Sequence, residues 1–220
     1  MILPELRARV LQTALLLPKY NLVWMAGGTV CARDPETGYV VVTPSGLDYE
    51  RLTPDDMLVT DLEMNLVEGS FRPSVALNLW TGFMRARPAE IFAVVHTHSA
   101  HATAFSVVHE SIPVITETMA DWFGQPVPVT RYLSVEDPEF PTLPVQVMGD
   151  GYAVLLGNHG PITVGRTLEH ALERAVTLEE AARTYSIART IGSPTTLTSE
   201  QAAASFDYYH HRYGQKSTQE

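Results

Sequence analysis

The sequence predicts an α/β fold, a single domain in which one β-sheet is covered by helices on both faces. Three observations predict it. Short β-branched runs alternate with amphipathic stretches along the whole chain. The run from Ile91 to His98 is apolar until its last residues, as in a strand buried on both faces. The 220 residues show no compositional break and no internal repeat, and that length suits one large domain or two small ones. Residues 1–215 are therefore expected to form one domain, and residues 216–220 a flexible tail.

Each element follows from local pattern. Leu3, Leu6, Val10, Ala14 and Leu17 recur at helical spacing and open the chain with an amphipathic helix that Pro18 is expected to stop. Tyr39 to Thr43 is a strand closed by the turn residues Pro44-Ser45-Gly46, and Met57 to Val67 reads as two strands about an acidic turn. Val75 to Arg85 is a helix ended by Pro88, Ile91 to His98 the buried strand, and His101 to Val108 a short helix. Ile112 to Thr116 and Tyr152 to Leu156 are further short strands, and Ile162 to Val164 resumes the sheet. The clearest helix starts after Thr167, a good N-cap. It buries Leu168, Leu172, Ala175, Leu178, Ala182, Tyr185 and Ala188 before Gly192 and Pro194 end it. A last helix, Ser199 to Tyr213, carries several aromatics.

Composition narrows the function. Fifteen Lys+Arg against twenty-five Asp+Glu give a net charge of −10, so neither nucleic acid nor an anionic membrane is an expected partner. The single cysteine, Cys31, excludes an internal disulfide and fits a reducing compartment. No apolar run approaches the roughly 18 residues that span a bilayer. The apolar stretch Ala14 to Leu17 is too short for a signal peptide, so a cytoplasmic location is expected.

Two places carry candidate chemistry. In His96-Thr97-His98, residues i and i+2 of a strand point to one side, so both imidazoles can reach one ion at about 2.0–2.1 Å. Strand ends are where sites open in α/β folds. Eight histidines in 220 residues give roughly 0.3 such pairs by chance, so the pair alone leaves metal binding and coincidence both open. His159 lies in the turn Gly157-Asn158-His159-Gly160-Pro161, directly after a strand. It can complete a three-histidine site with an open coordination position, or simply cap its own turn. Neutral imidazole is the ligand form, so metal affinity at such a site is expected to fall below about pH 6. Of the others, His170 reads as a solvated helix residue and His101 as a candidate support for a ligand, while His109, His210 and His211 show no pair geometry.

The order of motifs resembles the class II aldolase/adducin family over nearly the whole chain. Its carriers are Leu17-Pro18-Lys19-Tyr20-Asn21-Leu22-Val23, Pro44-Ser45-Gly46-Leu47-Asp48-Tyr49 and Asp55-Asp56-Met57. They continue through His96-Thr97-His98-Ser99-Ala100-His101-Ala102-Thr103, Ala120-Asp121-Trp122-Phe123, Asn158-His159-Gly160-Pro161 and Tyr213-Gly214-Gln215. The resemblance is closest to the family's L-ribulose-5-phosphate 4-epimerase branch. It implies a mostly antiparallel sheet and His96, His98 and His159 as ligands of a divalent metal, usually Zn2+, with Mn2+, Co2+ or Ni2+ as alternatives. It also implies an aldolase or epimerase that breaks a carbon–carbon bond of a hydroxy-keto substrate through a metal-stabilised enediolate. Proton transfer is implied for Asp121 and Tyr213, contributed by a neighbouring subunit of a homotetramer. As residues, Asp121 also reads as a helix-start carboxylate and Tyr213 as a packed aromatic.

Substrate contacts carried over are Thr29, Ser45, Gly46 and Ser74. The departures are equally specific. Where the family reads Pro-Ser-Ser, then Glu or Asp, and three residues on a His, this chain reads Pro73-Ser74-Val75-Ala76, with Trp80 at the His position. The family's Gly-Asn-Val-Ser reads Gly28-Thr29-Val30-Cys31. A carboxylate beside the metal is thus lost at Ala76 and a phosphate donor at Val75, which implies a pocket remodelled for a substrate without phosphate or with it held differently. Decarboxylation or dehydration by the same chemistry is the alternative, and a non-catalytic adducin-like module the third reading.

Overall fold

Among residues 1–214, which the computed structural model describes, eight strands form one sheet. They are β1 (Thr29–Arg33), β2 (Val40–Val42), β3 (Leu58–Thr60), β4 (Leu66–Glu68), β5 (Ala93–His96), β6 (Val129–Tyr132), β7 (Ala153–Gly157) and β8 (Gly160–Gly165). Their order is β4-β3-β2-β1-β5-β8-β7-β6, antiparallel throughout except for the parallel pair β6–β7. The helices are α1 (Pro4–Lys19), α2 (Leu77–Ala86), α3 (Ala100–Val107), α4 (Glu117–Phe123), α5 (Leu143–Met148), α6 (Leu168–Ile191) and α7 (Ser199–Arg212). The tail expected at 216–220 lies outside the described residues.

Strand alternation sorts the side chains between two faces. Cys31, Val40, Val42, Val94, Val154 and Ile162 pack with Leu77, Trp80 and Phe83 of α2 and Met148 of α5. Val30, Ala32, Val41, Ala93 and Val95 pack on the other face with Val10 and Ala14 of α1 and Leu172 and Ala175 of α6. A third cluster joins α3, α4, α6 and α7 over Ala153 and Leu155. The fold is the expected one, an α/β domain whose mostly antiparallel sheet is covered on both faces. No described helix is long and apolar enough to cross a membrane.

Several elements differ from the sequence reading, each for a local reason. Pro18 does not stop α1, because only its own amide is lost; the Tyr20 N–H still donates to the Leu16 carbonyl at 3.1 Å. Ile112 to Thr116 forms no strand beyond a single bridge from Ile112 to Val127, since Thr116 is already the N-cap of α4. Strands β1 and β6 and the short helices α4 and α5 are not legible in the sequence: helices of 7 and 6 residues depend on packing, not on propensity. Tyr185 and Ala188 of α6 are only half-buried. Strand β5 ends at His96, so His98 lies beyond the sheet.

Candidate metal centre

Three segments converge on the end of β5. The backbone of His96 pairs with Thr29 of β1 on one side and Ile162 of β8 on the other. Next, the Thr97 N–H donates to the Pro161 carbonyl at 3.1 Å and the His98 N–H to the Leu22 carbonyl at 3.0 Å. The β7–β8 turn supplies the third histidine. Asn158 takes the left-handed conformation (φ 57°) and the His159 N–H donates to the Leu156 carbonyl at 3.0 Å. Gly160 permits the approach, because a Cβ there would stand 2.4 Å from the Thr97 carbonyl oxygen. The pair predicted from i, i+2 spacing is thus brought together: β5 ends at His96, and the Thr97 and His98 N–H groups, bonded to Pro161 and Leu22, hold the two residues beyond it.

The result is a triad. Ring centroids of His96, His98 and His159 are 4.8 to 5.0 Å apart, and one ligand-capable nitrogen from each lies within 4.8 Å of the others. The Nε2 atoms of His96 and His98 are 3.0 Å apart, against about 3.3 Å for two 2.05 Å bonds at a tetrahedral metal. His96 Nδ1 stands 3.0 Å from the Pro161 carbonyl. That oxygen only accepts, so Nδ1 carries the proton and Nε2 turns its lone pair toward the other rings. The donor set fits a divalent ion: three nitrogen ligands, one with its tautomer set by a carbonyl. Among the described residues no other group of three or more His, Cys, Asp or Glu has such geometry, and no carboxylate joins this one.

Burial keeps these imidazoles neutral. It pushes His96 well below its ordinary value, helped by the neighbouring His159 and His98, and it lowers His98 as well. Burial and then the charge of His98 bring His159 down to about 4. These directions put the protonation that would compete with a metal below the ordinary imidazole range, so loss of metal is expected at a pH lower than about 6. The sign for the metal-free protein is also set. The unfolded chain takes up these protons near pH 6.5 and the folded one only further down, so stability falls as pH drops from about 6.5 toward 4. Thermal melts of metal-free protein should show this slope, and His159→Gln should flatten it; parallel slopes in the two proteins would contradict the assignment.

Supporting contacts come from elsewhere in the chain. Trp80 of α2 is buried and stacks on His96, with centroids 5.1 Å apart and planes at 28°. Trp80→Ala should cost about 3–5 kcal/mol in urea unfolding and loosen the His96 ring; a variant as stable as wild type would show that Trp80 does not brace this strand end. Gly27 and Gly28 let the preceding loop pass close by, since a Cβ would lie 3.1 Å from His98 Nδ1 and 2.9 Å from the His96 carbonyl, respectively. The His109–Asn158 hydrogen bond, 2.9 Å from Nε2 to Oδ1, holds the left-handed residue beside His159. Nothing in the sequence signals that pair, because the partners are 49 residues apart.

The candidate substrate residues sit at the same end of the sheet. Thr29 is directly opposite His96, so their side chains share a face. Pro44 bridges Pro73 and the Ser45 N–H donates to the Arg72 carbonyl at 3.0 Å, which lays the Ser45-Gly46 turn beside Ser74. Cys31 is not part of a loop here: it is buried in β1, where burial pushes its thiol up and keeps it inert. Ala76 is buried beneath the start of α2, while Val75 is 75% exposed.

Asp121 and Tyr213 are not brought to the triad within the chain. Asp121 lies on α4, which packs against α6 and α7, and accepts a hydrogen bond from Ser205 Oγ at 2.7 Å. Tyr213 follows α7, 66% exposed and stacked on Tyr209 at 5.2 Å. Among the described residues His101 makes no hydrogen bond to a triad histidine; its Nδ1 meets Glu179 Oε1 at 2.8 Å, and Glu179 also accepts the His101 and Ala102 N–H groups at the start of α3. His170 is half-buried against the edge of Trp122 at 5.9 Å, not solvated.

Residues 8–186 match the family model described as the Class II Aldolase and Adducin N-terminal domain. The chain belongs to the class II aldolase and adducin family. Family members among solved structures are similar over nearly the whole length. An L-fuculose 1-phosphate aldolase superposes with a TM-score of 0.88 at 25% identity, covering 94% of this chain and 96% of that one. YgbL from Escherichia coli, described as a candidate aldolase/epimerase/decarboxylase, gives 0.82 at 26% identity, covering 92% and 98%. The L-fuculose-1-phosphate aldolase of Thermus thermophilus gives 0.72 at 27%, covering 86% and 98%. These likenesses support aldolase- or epimerase-type chemistry, and the triad could hold the divalent metal on which class II aldolases depend.

Proposed function

We propose that this protein is a divalent-metal-dependent carbon–carbon lyase or sugar epimerase acting on a hydroxy-keto, sugar-like substrate. The observation that carries the reading is the triad of neutral imidazoles, with the Pro161 carbonyl setting the tautomer of His96, in a class II aldolase fold. His96, His98 and His159 are the proposed ligands, with Zn2+ the first choice and Mn2+, Co2+ or Ni2+ the alternatives. When bound, the ion supplies Lewis acidity at a substrate carbonyl and draws off the electron density left by a breaking neighbouring bond. Thr29, Ser45, Gly46 and Ser74 bind and orient the substrate on the rim. Asp121 and Tyr213 move the proton of the cleaving hydroxyl, reaching the triad of an adjacent subunit in a homotetramer. Residues 1–215 form the domain that does this, in the cytoplasm, with a small molecule and neither nucleic acid nor membrane as its partner.

Two neutral residues shape the substrate. With Ala76 in place of a carboxylate, three uncharged imidazoles leave the charge of a divalent ion unbalanced, which favours an anionic substrate such as a carboxylate. Val75 offers no hydrogen bond where the family has a serine, so phosphate recognition is weakened. The same loss of a carboxylate favours, as a second reading, decarboxylation or dehydration of a related substrate.

The test is metal analysis of the purified protein, followed by product analysis on a panel of keto-sugars and hydroxy-keto acids with and without phosphate. Retro-aldol or epimer products from the non-phosphorylated members support the reading. A metal-free protein would indicate a binding module, release of carbon dioxide or water alone would favour the second reading, and a strong preference for phosphorylated ketoses would show that Ala76 and Val75 carry less weight. Assembly is checked separately. Light scattering at micromolar concentration should give four chains per particle, and a monomer would rule out sites shared between subunits.

A further inference from the structure

A cavity of about 630 Å³ opens where β5 begins, at the opposite end of that strand from the histidines. Ala93 lines it, and His96 lies three residues further, roughly 10 Å along the strand. Its apolar wall includes Leu6, Phe92 and Leu168, and three guanidiniums, Arg9, Arg33 and Arg166, face it.

The arginines are not equivalent. Arg9 is committed to Glu169 at 3.1 Å. Arg33 and Arg166 have no carboxylate within 4 Å among the described residues, although the chain carries a net charge of −10. Arg33 lies over the Phe92 ring, 4.5 Å from its centroid, and donates to the Pro88 carbonyl. Arg166 donates to the Ala89 carbonyl at 3.3 Å. Each spends one Nη on this short loop, which places the two side by side with further N–H groups unspent. Two acids also line the cavity, Asp34 and the exposed Glu5, of which Asp34 accepts from the Thr37 N–H and hydroxyl at 2.8 and 2.7 Å. The 24-residue helix α6 begins at Leu168 on the same wall and adds the positive end of its dipole.

We propose that this cavity binds a small anion with an apolar body, the chemistry of an aryl carboxylate or aryl phosphate, at a site separate from the metal centre. The two unpaired guanidiniums hold the anionic head by charge-assisted hydrogen bonds, and Leu6, Phe92 and Leu168 cover the body. The site is independent of the lyase or epimerase reading, since it shares no residue with the triad.

Calorimetric titration of the full chain with benzoate, phenyl phosphate and inorganic phosphate tests it. One of the two aryl anions should bind saturably and more tightly than inorganic phosphate, and the ratio between them identifies the preferred head. Arg166→Gln, on an exposed side chain, should weaken that binding about tenfold, and the double variant with Arg33→Gln further. His159→Ala should leave it unchanged. Absence of saturable binding in wild type, affinity unaltered by Arg166→Gln, or binding lost in His159→Ala would each overturn the proposal, the last because the anion would then sit at the histidines. Should Arg33→Gln fail to fold, Arg166→Gln alone decides.

Discussion

The double variant His96→Ala, His98→Ala should purify without metal and without lyase or epimerase activity. Two of three ligands are removed, and a divalent ion held by one imidazole and water has little reason to stay. Activity should fall by about 10³-fold or more, because stabilising the charge on the reacting carbonyl is worth several kcal/mol, and each 1.4 kcal/mol is tenfold in rate. His96 is buried against Trp80, so its loss also opens a cavity. His159→Ala, on a half-buried turn, is the gentler companion and should show the same loss of metal with a smaller loss of stability. Elemental analysis decides: full metal content in the double variant would place the metal elsewhere.

Asp121→Asn should leave metal content unchanged and slow turnover by on the order of 10²–10⁴. The substitution keeps the shape, and an amide oxygen can still accept the Ser205 hydroxyl bond made at 2.7 Å, so folding should survive. The carboxylate sits on α4, away from the triad of its own chain, which makes a second experiment informative. Asp121→Asn and His159→Ala subunits, each inactive alone, should regain part of the activity when dissociated and reassembled together, because some interfaces then pair an intact triad with an intact Asp121. Tyr213→Phe mixed with His159→Ala should behave alike, given that the Tyr213 ring is exposed beyond the end of α7. Full activity in Asp121→Asn would remove that residue from the mechanism; inactive mixtures would remove the action across subunits.

The sequence by itself determined the elements whose signal is local. The stripe from Leu168 to Ala182, with Thr167 accepting the His170 N–H, gives α6 its start and its buried face. The apolar run before His96 gives the central strand, and the triad's members could be named from the H-x-H pair, the glycine-flanked turn and the family's motif order. Tertiary structure decided what depends on residues far apart in the chain. Alternation along a strand predicts that His96 and His98 face one ion, and they do meet; but β5 stops at His96, and what holds His98 in place beyond it is the carbonyl of Leu22, 76 positions earlier. The tautomer of His96 rests on the carbonyl of Pro161, the brace behind it on Trp80, and the turn of His159 on His109. The short elements α4, α5, β1 and β6 form because neighbours bury them, and a window of six or seven residues holds too few apolar positions to announce that. Local periodicity records which face a segment will bury; only the folded chain specifies which distant carbonyl or ring lies against it, and at this site those long-range partners set the donor geometry.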